Sequence, residues 1–458
     1  MKNTIEFIDA NNDSFLSELK DFLRFPSVST REKNNQDVEN CANWLAKNMV
    51  ESGLKNVEII KTKGHPLIYA DNLDAGQDKP TVLIYGHYDV QPEDPIDLWD
   101  SPPFEPVVKD GKIYGRGTAD DKGQVFTHIK AVQSLMKAEG KLPVNVKFII
   151  EGEEESGSYA IEEFLNTQAE KLACDVVLIS DTSWFAPGLP TITYALRGIA
   201  VVEITVKGPN RDLHSGSYGG ATPNPINILC KMLATLHDDN NKITIENYYN
   251  DVLELTDEER ESFQKLPFDL NRYKSEIGIN DIYGEEGFST LERQWARPTI
   301  DINGIYGGYT DQGHKSIIPS WASAKISMRI VNNQDWKKSV EAIKAHLIKV
   351  APPAVTVEFK GEHGGNPAIA PIDGESVKAA AQALKNAFGV DAAFMREGGS
   401  IPIVTNFQEN LNAPAILMGF GLDSDNIHSP NENFLLENFF GGIKASAYFL
   451  DEMSKISK

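Results

Sequence analysis

The chain has 458 residues, of which 44 are basic and 66 acidic, a formal net charge of −22. That length exceeds one hydrophobic core and points to two domains, and 41% hydrophobic with 24% charged residues is ordinary globular usage, neither disordered nor membrane-like. The acidic excess repels nucleic acid and anionic lipid alike, and no apolar run is long enough to cross a bilayer.

The N-terminus (Met1, Lys2, Asn3, Thr4, Ile5, Glu6) carries no signal-peptide core, so a cytoplasmic protein is expected. Asp13–Phe25 has helical spacing and is stopped by Pro26. From there to about residue 200 apolar strands alternate with helices. Strands are expected at Thr81–Tyr85, Val144–Ile150 and Val176–Ile179, with helices at about Val125–Ala138 and Ala160–Lys171. Such runs build a mostly parallel, buried sheet. Cys41, Cys174 and Cys230 lie far apart in apolar stretches and read as buried free thiols, not a disulfide framework.

After about residue 200 the pattern changes. Ala200–Val206 and Trp321–Val331 alternate as half-buried strands do, Pro223–Leu236 and Trp336–Ile348 have helical period, and Val355–Phe359 is a short strand. Between them lies a long polar stretch, about Asp238 to Gly287. Gly361–Asn366, with three glycines, reads as a linker. Beyond it the helix Asp373–Phe388 and the strand Ala415–Met418 return to the first pattern. The fold class expected is α/β: a mostly parallel-sheet catalytic domain with helices on both faces (1–199 and 363–458), interrupted by a smaller α+β lid or dimerisation domain (200–362).

Metal-capable side chains recur after the strands of the α/β part. His87 and Asp89 follow Thr81–Tyr85, Glu154 and Glu155 follow Val144–Ile150, Asp181 follows Val176–Ile179, and His428 follows Ala415–Met418; Asp120 and Asp121 precede a helix. Ligand sites in open parallel sheets gather outside the carboxyl ends of the strands, so these segments converge on one rim. Taken singly, Asp120–Asp121 reads as loop surface and Glu153–Glu155 as a solvated charge run. Brought together, their carboxylates repel unless cations neutralise them. Histidine and carboxylate donors suit zinc, manganese or cobalt, and a pair of such ions activates water and stabilises an oxyanion.

The strings GHYDVQP (Gly86–Pro92), YGRGTADDKG (Tyr114–Gly123), EGEEESGS (Glu151–Ser158), SD (Ser180–Asp181), DLHSGSYGG (Asp212–Gly220) and HSPNE (His428–Glu432) occur in the order found in the co-catalytic zinc exopeptidases and aminoacylases. The chain resembles that superfamily over nearly its whole length, and most of all its carnosinase-like, cytosolic non-specific dipeptidase branch. The resemblance implies a metal-dependent hydrolase with two divalent ions, most simply zinc. His87 and Asp181 would hold one ion and Glu155 and His428 the other, with Asp120 bridging. It implies Glu154 as the general base, Asp89 as the carboxylate that orients His87, and His214 as an oxyanion donor reaching across a homodimer. Arg329 would clamp the substrate carboxylate, and Arg396, Gly399 and Ser400 of the REGGS string would line the substrate site.

The function expected is hydrolysis of dipeptides or very short peptides with a free C-terminal carboxylate. N-acyl-amino-acid deacylation, desuccinylation or a glutamate-type carboxypeptidase action stands as the alternative within enzymes. An inactive metal-binding interaction protein stands as the alternative of another class.

Overall fold

The computed structural model describes residues 1–399 and 401–456, leaving aside the side chain of Pro402. One compact unit comprises Met1–Tyr194, Ala370–Met395 and Asn406–Lys458; a second comprises Ala195–Ile369 and Arg396–Thr405. The REGGS segment thus groups with the second unit.

The first unit is built on a mixed sheet. Strand Lys55–Ile60 pairs antiparallel with Leu67–Asn72, which pairs antiparallel with Asn145–Glu151. From there the sheet is parallel through Thr81–His87, Val176–Ile179 and Ala415–Leu417. The central strands are apolar on both faces because both are covered. Val82, Ile84, Phe148, Ile150, Val176 and Leu178 pack in one core with Val125, Phe126 and Ile129 of the helix Lys122–Glu139 and with Phe439 and Ile443 of the helix Leu436–Met453. Gly140 ends the former helix in the left-handed conformation, φ 74°, which only glycine adopts at no steric cost.

The second unit holds a four-stranded antiparallel sheet, in the order Thr299–Gly307, Trp321–Ile330, Gly198–Lys207, Thr356–Gly365. Alternation is clean where one face is covered. Ala200, Val202, Ile204 and Val206 join Ala322, Ala324, Ile326 and Met328 against the helices Pro225–Ala234 and Trp336–Val350. The helix Pro225–Ala234 starts as proline dictates, with the Asn224 side chain accepting from the Ile226 and Asn227 amides.

Two expectations are corrected. Gly361–Asn366 is not a linker: the strand Thr356–Gly365 runs through Gly361–Gly365, and pairing of Gly364 with Ala200 and Gly365 with Ile199 supplies ladder bonds that outweigh glycine's poor strand propensity. Within the polar stretch 238–287, Thr256 and Asp269 cap the short helices Asp257–Lys265 and Leu270–Ile277. All three cysteines are free, but only Cys41 is buried; Cys174 is half-buried and Cys230 exposed, on the outer side of its helix.

Candidate metal centre

The parallel register brings the ligand candidates together, all within the first unit. His87 is the last residue of its strand and lies opposite Glu151, the last of the neighbouring one; Tyr85 lies opposite Ile179. Glu154 and Glu155 follow in a single 3-10 turn, Asp181 comes two residues after Ile179, and His428 lies beyond Ala415–Leu417, after the short strand Gly421–Leu422 and the 3-10 turn Asp423–Asp425. His428 has a left-handed backbone, φ 60°, a conformation that clusters at functional sites when held by non-glycine residues. Gly86 must lack a side chain: a Cβ there would fall 2.6 Å from both Asp121 Oδ2 and Val125 Cγ2.

Asp120 is the centre of the cluster. Its Oδ1 lies 3.0 Å from His87 Nε2 and its Oδ2 2.8 Å from His428 Nε2. Asp181 Oδ2 is 3.9 Å from His87 Nε2, and Glu155 Oε1 is 3.3 Å from His428 Nε2. Two groups of ligand atoms result, each within 4.8 Å: His87, Asp120 and Asp181, and Asp120, Glu155 and His428. Asp120 belongs to both, and a carboxylate with its oxygens turned to opposite sides is the simplest bridge between two cations. The residues fit such a pair. Glu155 Oε1 is buried with no hydrogen-bond donor, while Oε2 accepts from Gln91 Nε2 at 2.7 Å, so one oxygen is held and the other left for a ligand role.

Asp89 ties two ligand segments together. Its backbone oxygen is 3.1 Å and its Oδ1 3.3 Å from His87 Nδ1, which leaves Nε2 facing Asp120. The same carboxylate accepts from the Glu154 amide at 3.2 Å and the Glu155 amide at 3.1 Å. Asp121 points elsewhere: its Oδ2 accepts from the His87 amide at 3.1 Å.

The electrostatics are those of crowded acids. Burial, with help from Asp120, pushes the Asp181 carboxyl up to about 7. Burial outweighs the attraction of His87 and pushes Glu154 up to about 9. Asp120 moves the other way. Burial opposes its charge, but the bonds from His428 and His87 win and hold it below the usual carboxylate range. His428 is raised to about 10, first by its bond to Asp120 and then by Glu155. Divalent cations would relieve each of these conflicts.

The remaining sequence-derived candidates lie in the second unit. Arg329 sits in the strand Trp321–Ile330, opposite Ile199 and Thr299. It is half-buried, and burial lowers its pKa. Arg197 is lowered to about 10, by burial and then by Arg329. His214 is exposed and pairs opposite Ile317; its Nδ1 accepts from the Ser217 amide at 3.2 Å, which makes Nε2 the protonated nitrogen of the neutral ring. Arg396 is buried and ion-paired with Glu259. Gly399 lies beside Glu397. Ser400 lies outside the described residues.

Residues absent from the sequence-derived set also shape the centre. Glu153, read with its neighbours as one charge run, accepts from the His65 amide at 2.9 Å and the Ala160 amide at 3.1 Å. Gln91 and Glu432 stood inside the GHYDVQP and HSPNE strings, but their partners are far away in sequence. His128 gave no signal: it lies mid-helix, with Nε2 2.8 Å from Ser180 Oγ, next to Asp181.

The family model described as peptidase family M20/M25/M40 matches residues 83–452. The Cys-Gly metallodipeptidase dug1 of Schizosaccharomyces pombe is 32% identical over 99% of this chain and 98% of its own. The human Beta-Ala-His dipeptidase is 31% identical over 100% of this chain and 93% of its own. Among solved structures, the M20 family metallo-carboxypeptidase Sso-CP2 of Sulfolobus solfataricus superposes with a TM-score of 0.84 at 33% identity, covering 96% of this chain and 99% of that one.

Proposed function

The chain belongs to the M20/M25/M40 peptidase family, and on that premise we propose that it is a dinuclear metal-dependent dipeptidase, hydrolysing dipeptides or very short peptides with a free C-terminal carboxylate. The observation that carries this reading is the pair of three-ligand groups sharing Asp120, with Glu154 beside them and outside both. When bound, two divalent ions supply Lewis-acid polarisation of the scissile carbonyl and lower the pKa of a water. Zinc is the ion we assign, with manganese and cobalt compatible with the same donors.

The chain's own residues then divide the work. Glu154 takes the proton of the attacking water and returns it to the leaving amine, as a positioned carboxylate outside both ligand groups can. Asp89 keeps His87 Nδ1 occupied and Nε2 available as the ligand atom. His214 donates Nε2–H to the oxyanion from the second subunit of a homodimer. Arg329 pairs with the substrate carboxylate through its planar fork. Arg396, Gly399 and Ser400 are assigned to the substrate site, with Arg396 itself ion-paired to Glu259. The residues 200–362 form the lid and dimerisation domain, and the protein works in the cytoplasm. Among the described residues no helix is long and apolar enough to cross a membrane.

The likeness to a metallo-carboxypeptidase favours a second reading, release of C-terminal residues from longer chains. The test is one panel of dipeptides, tripeptides, longer peptides and N-acyl amino acids, assayed with zinc and with manganese on protein of measured metal content. Dipeptides are expected to be cleaved fastest by protein holding two ions per chain. Faster cleavage of longer peptides or N-acyl amino acids would move the assignment, and two bound ions with no amide hydrolysed would end the enzymatic reading.

A further inference from the structure

Glu432 has no part in the reaction proposed above, yet it is fully buried and each of its carboxylate oxygens accepts two hydrogen bonds. Oε2 accepts from Arg116 Nη1 at 2.7 Å and the Gly117 amide at 3.0 Å; Oε1 accepts from the Ala119 amide at 3.0 Å and the Asp120 amide at 3.2 Å. The Gly115 amide donates to the Glu432 backbone oxygen at 2.9 Å, and the strand Asn433–Leu435 pairs with Lys112–Tyr114, Asn433 opposite Tyr114. The turn from Gly115 to Asp120 is therefore folded around one carboxylate. Gly117 takes φ +84° within it, and successive amides point inward, the kind of concavity that elsewhere holds a bound anion. Here the anion is a side chain from the segment that carries His428 four residues earlier.

One group thus ties two ligands from opposite ends of the chain. Through its carboxylate it fixes the backbone of Asp120; through its own backbone it fixes the loop of His428; and those two side chains meet at 2.8 Å. We propose that Glu432 is a positioning residue for the metal pair: it sets the Asp120 carboxylate so that its two oxygens face His87 and His428 at once and both cations share it. This rests on the reading of Asp120 as the bridge.

A purely structural ion pair with Arg116 would need only one of the oxygens. Oε1 serves the Ala119 and Asp120 amides alone, and Arg116 has other company, with Nη2 donating to Pro92 O at 3.0 Å and the guanidinium 5.5 Å from the centre of the Trp99 ring. Glutamine in place of Glu432 keeps the volume but turns two N–H donors towards groups that are themselves donors.

The test uses the full chain loaded with manganese and needs no turnover. Two Mn(II) ions sharing a carboxylate are exchange-coupled, and their paramagnetic resonance spectrum differs from that of an isolated ion. Wild type with two ions per chain is expected to show the coupled spectrum. E432Q is expected to show the isolated-ion spectrum and to bind its second ion at least roughly tenfold more weakly, the loss of about one charge-assisted contact. R116M removes the same ion pair but keeps the three amide bonds to Glu432; it is expected to melt earlier yet retain coupling and affinity. If E432Q does not fold, E432D is read in its place, since it keeps the charge and loses only reach. Wild-type coupling and affinity in E432Q would overturn the inference, and so would equal loss in R116M. Absence of coupling in wild type at two ions per chain would instead remove Asp120 as the bridge, and this inference with it.

Discussion

Replacing His128 with glutamine isolates one ionisation whose cost the structure fixes. The ring is buried in the helix Lys122–Glu139, and its Nε2 lies 2.8 Å from Ser180 Oγ. The Ser180 hydroxyl donates to Met418 O at 2.6 Å, so its one proton is committed and His128 Nε2 must be the donor to it. Nδ1 is buried without a partner. The ring is therefore held neutral, and burial pushes its pKa down to about 3 from the ordinary 6.5. A pKa lowered on folding means that the unfolded chain binds the proton first. The stabilisation is complete above pH 6.5 and is lost as pH falls towards 3. At pH 5 the loss is about 2 kcal/mol, from ~1.4 kcal/mol per pH unit below the unfolded value.

Glutamine can still donate to Ser180 but does not titrate. The measurement is urea unfolding of chelated protein at pH 7.5, 6.5, 5.5 and 5, wild type and H128Q side by side, so that protonation of the other groups cancels in the difference. The stability of wild type relative to H128Q should fall by about 2 kcal/mol between pH 7.5 and 5. Parallel curves would mean that the ring charges at no cost in the folded protein, and the fixed tautomer beside Asp181 would have to be abandoned.

E154Q should retain two metal ions by elemental analysis while kcat falls roughly 10²–10⁴-fold, the usual worth of a positioned acid–base group; loss of an ion would make Glu154 a ligand. R329M should raise the barrier on substrates with a free C-terminal carboxylate by about 1.5–3 kcal/mol, the scale of a charge-assisted hydrogen bond, and leave amidated substrates nearly unchanged; equal losses in kcat/KM on both count against the clamp. H214A and E154Q, each nearly inactive alone, should recover part of the activity when co-refolded, because a hybrid dimer pairs an intact His214 with an intact Glu154; no recovery from verified hybrids rules out donation between subunits.

The parts of the fold that the sequence makes legible are those where one neighbour decides the pattern. Val176–Ile179 is apolar throughout because both faces of its sheet are covered, and Ala200–Val206 alternates because helices cover one face only. Thr299–Gly307 carries no such pattern, with Asp301 and Gly304 in an exposed edge strand; its conformation comes from pairing with Trp321–Ile330. The same division runs through the site. His87, Asp181 and His428 each follow an apolar strand, so position in the sheet is enough to nominate them. Gln91, Glu432 and His128 act through partners 64, 312 and 52 residues away; the first two lie inside motif strings that do not reveal those partners, and nothing local marks His128. Arg396 shows the converse: its string resembles a substrate loop, while the group that engages it, Glu259, belongs to a stretch that reads as featureless polar chain.

The run Glu153–Glu154–Glu155 shows why residue type alone cannot assign roles here. Glu153 has both oxygens taken by backbone amides, of His65 and Ala160, and a Cβ on Gly64 would collide with it; it holds the loop. Glu155 has one oxygen fixed by Gln91 and the other 3.3 Å from His428 Nε2, an arrangement that supports the proposed ligand role. Among the described residues nothing hydrogen-bonds the Glu154 carboxylate, although its amide is held by Asp89. A base must be rigid in its backbone and free at its oxygens, because any permanent donor would lower its affinity for the proton it has to carry. Of these three identical side chains, Glu154 has the fewest partners, and this supports the proposal that it is the base.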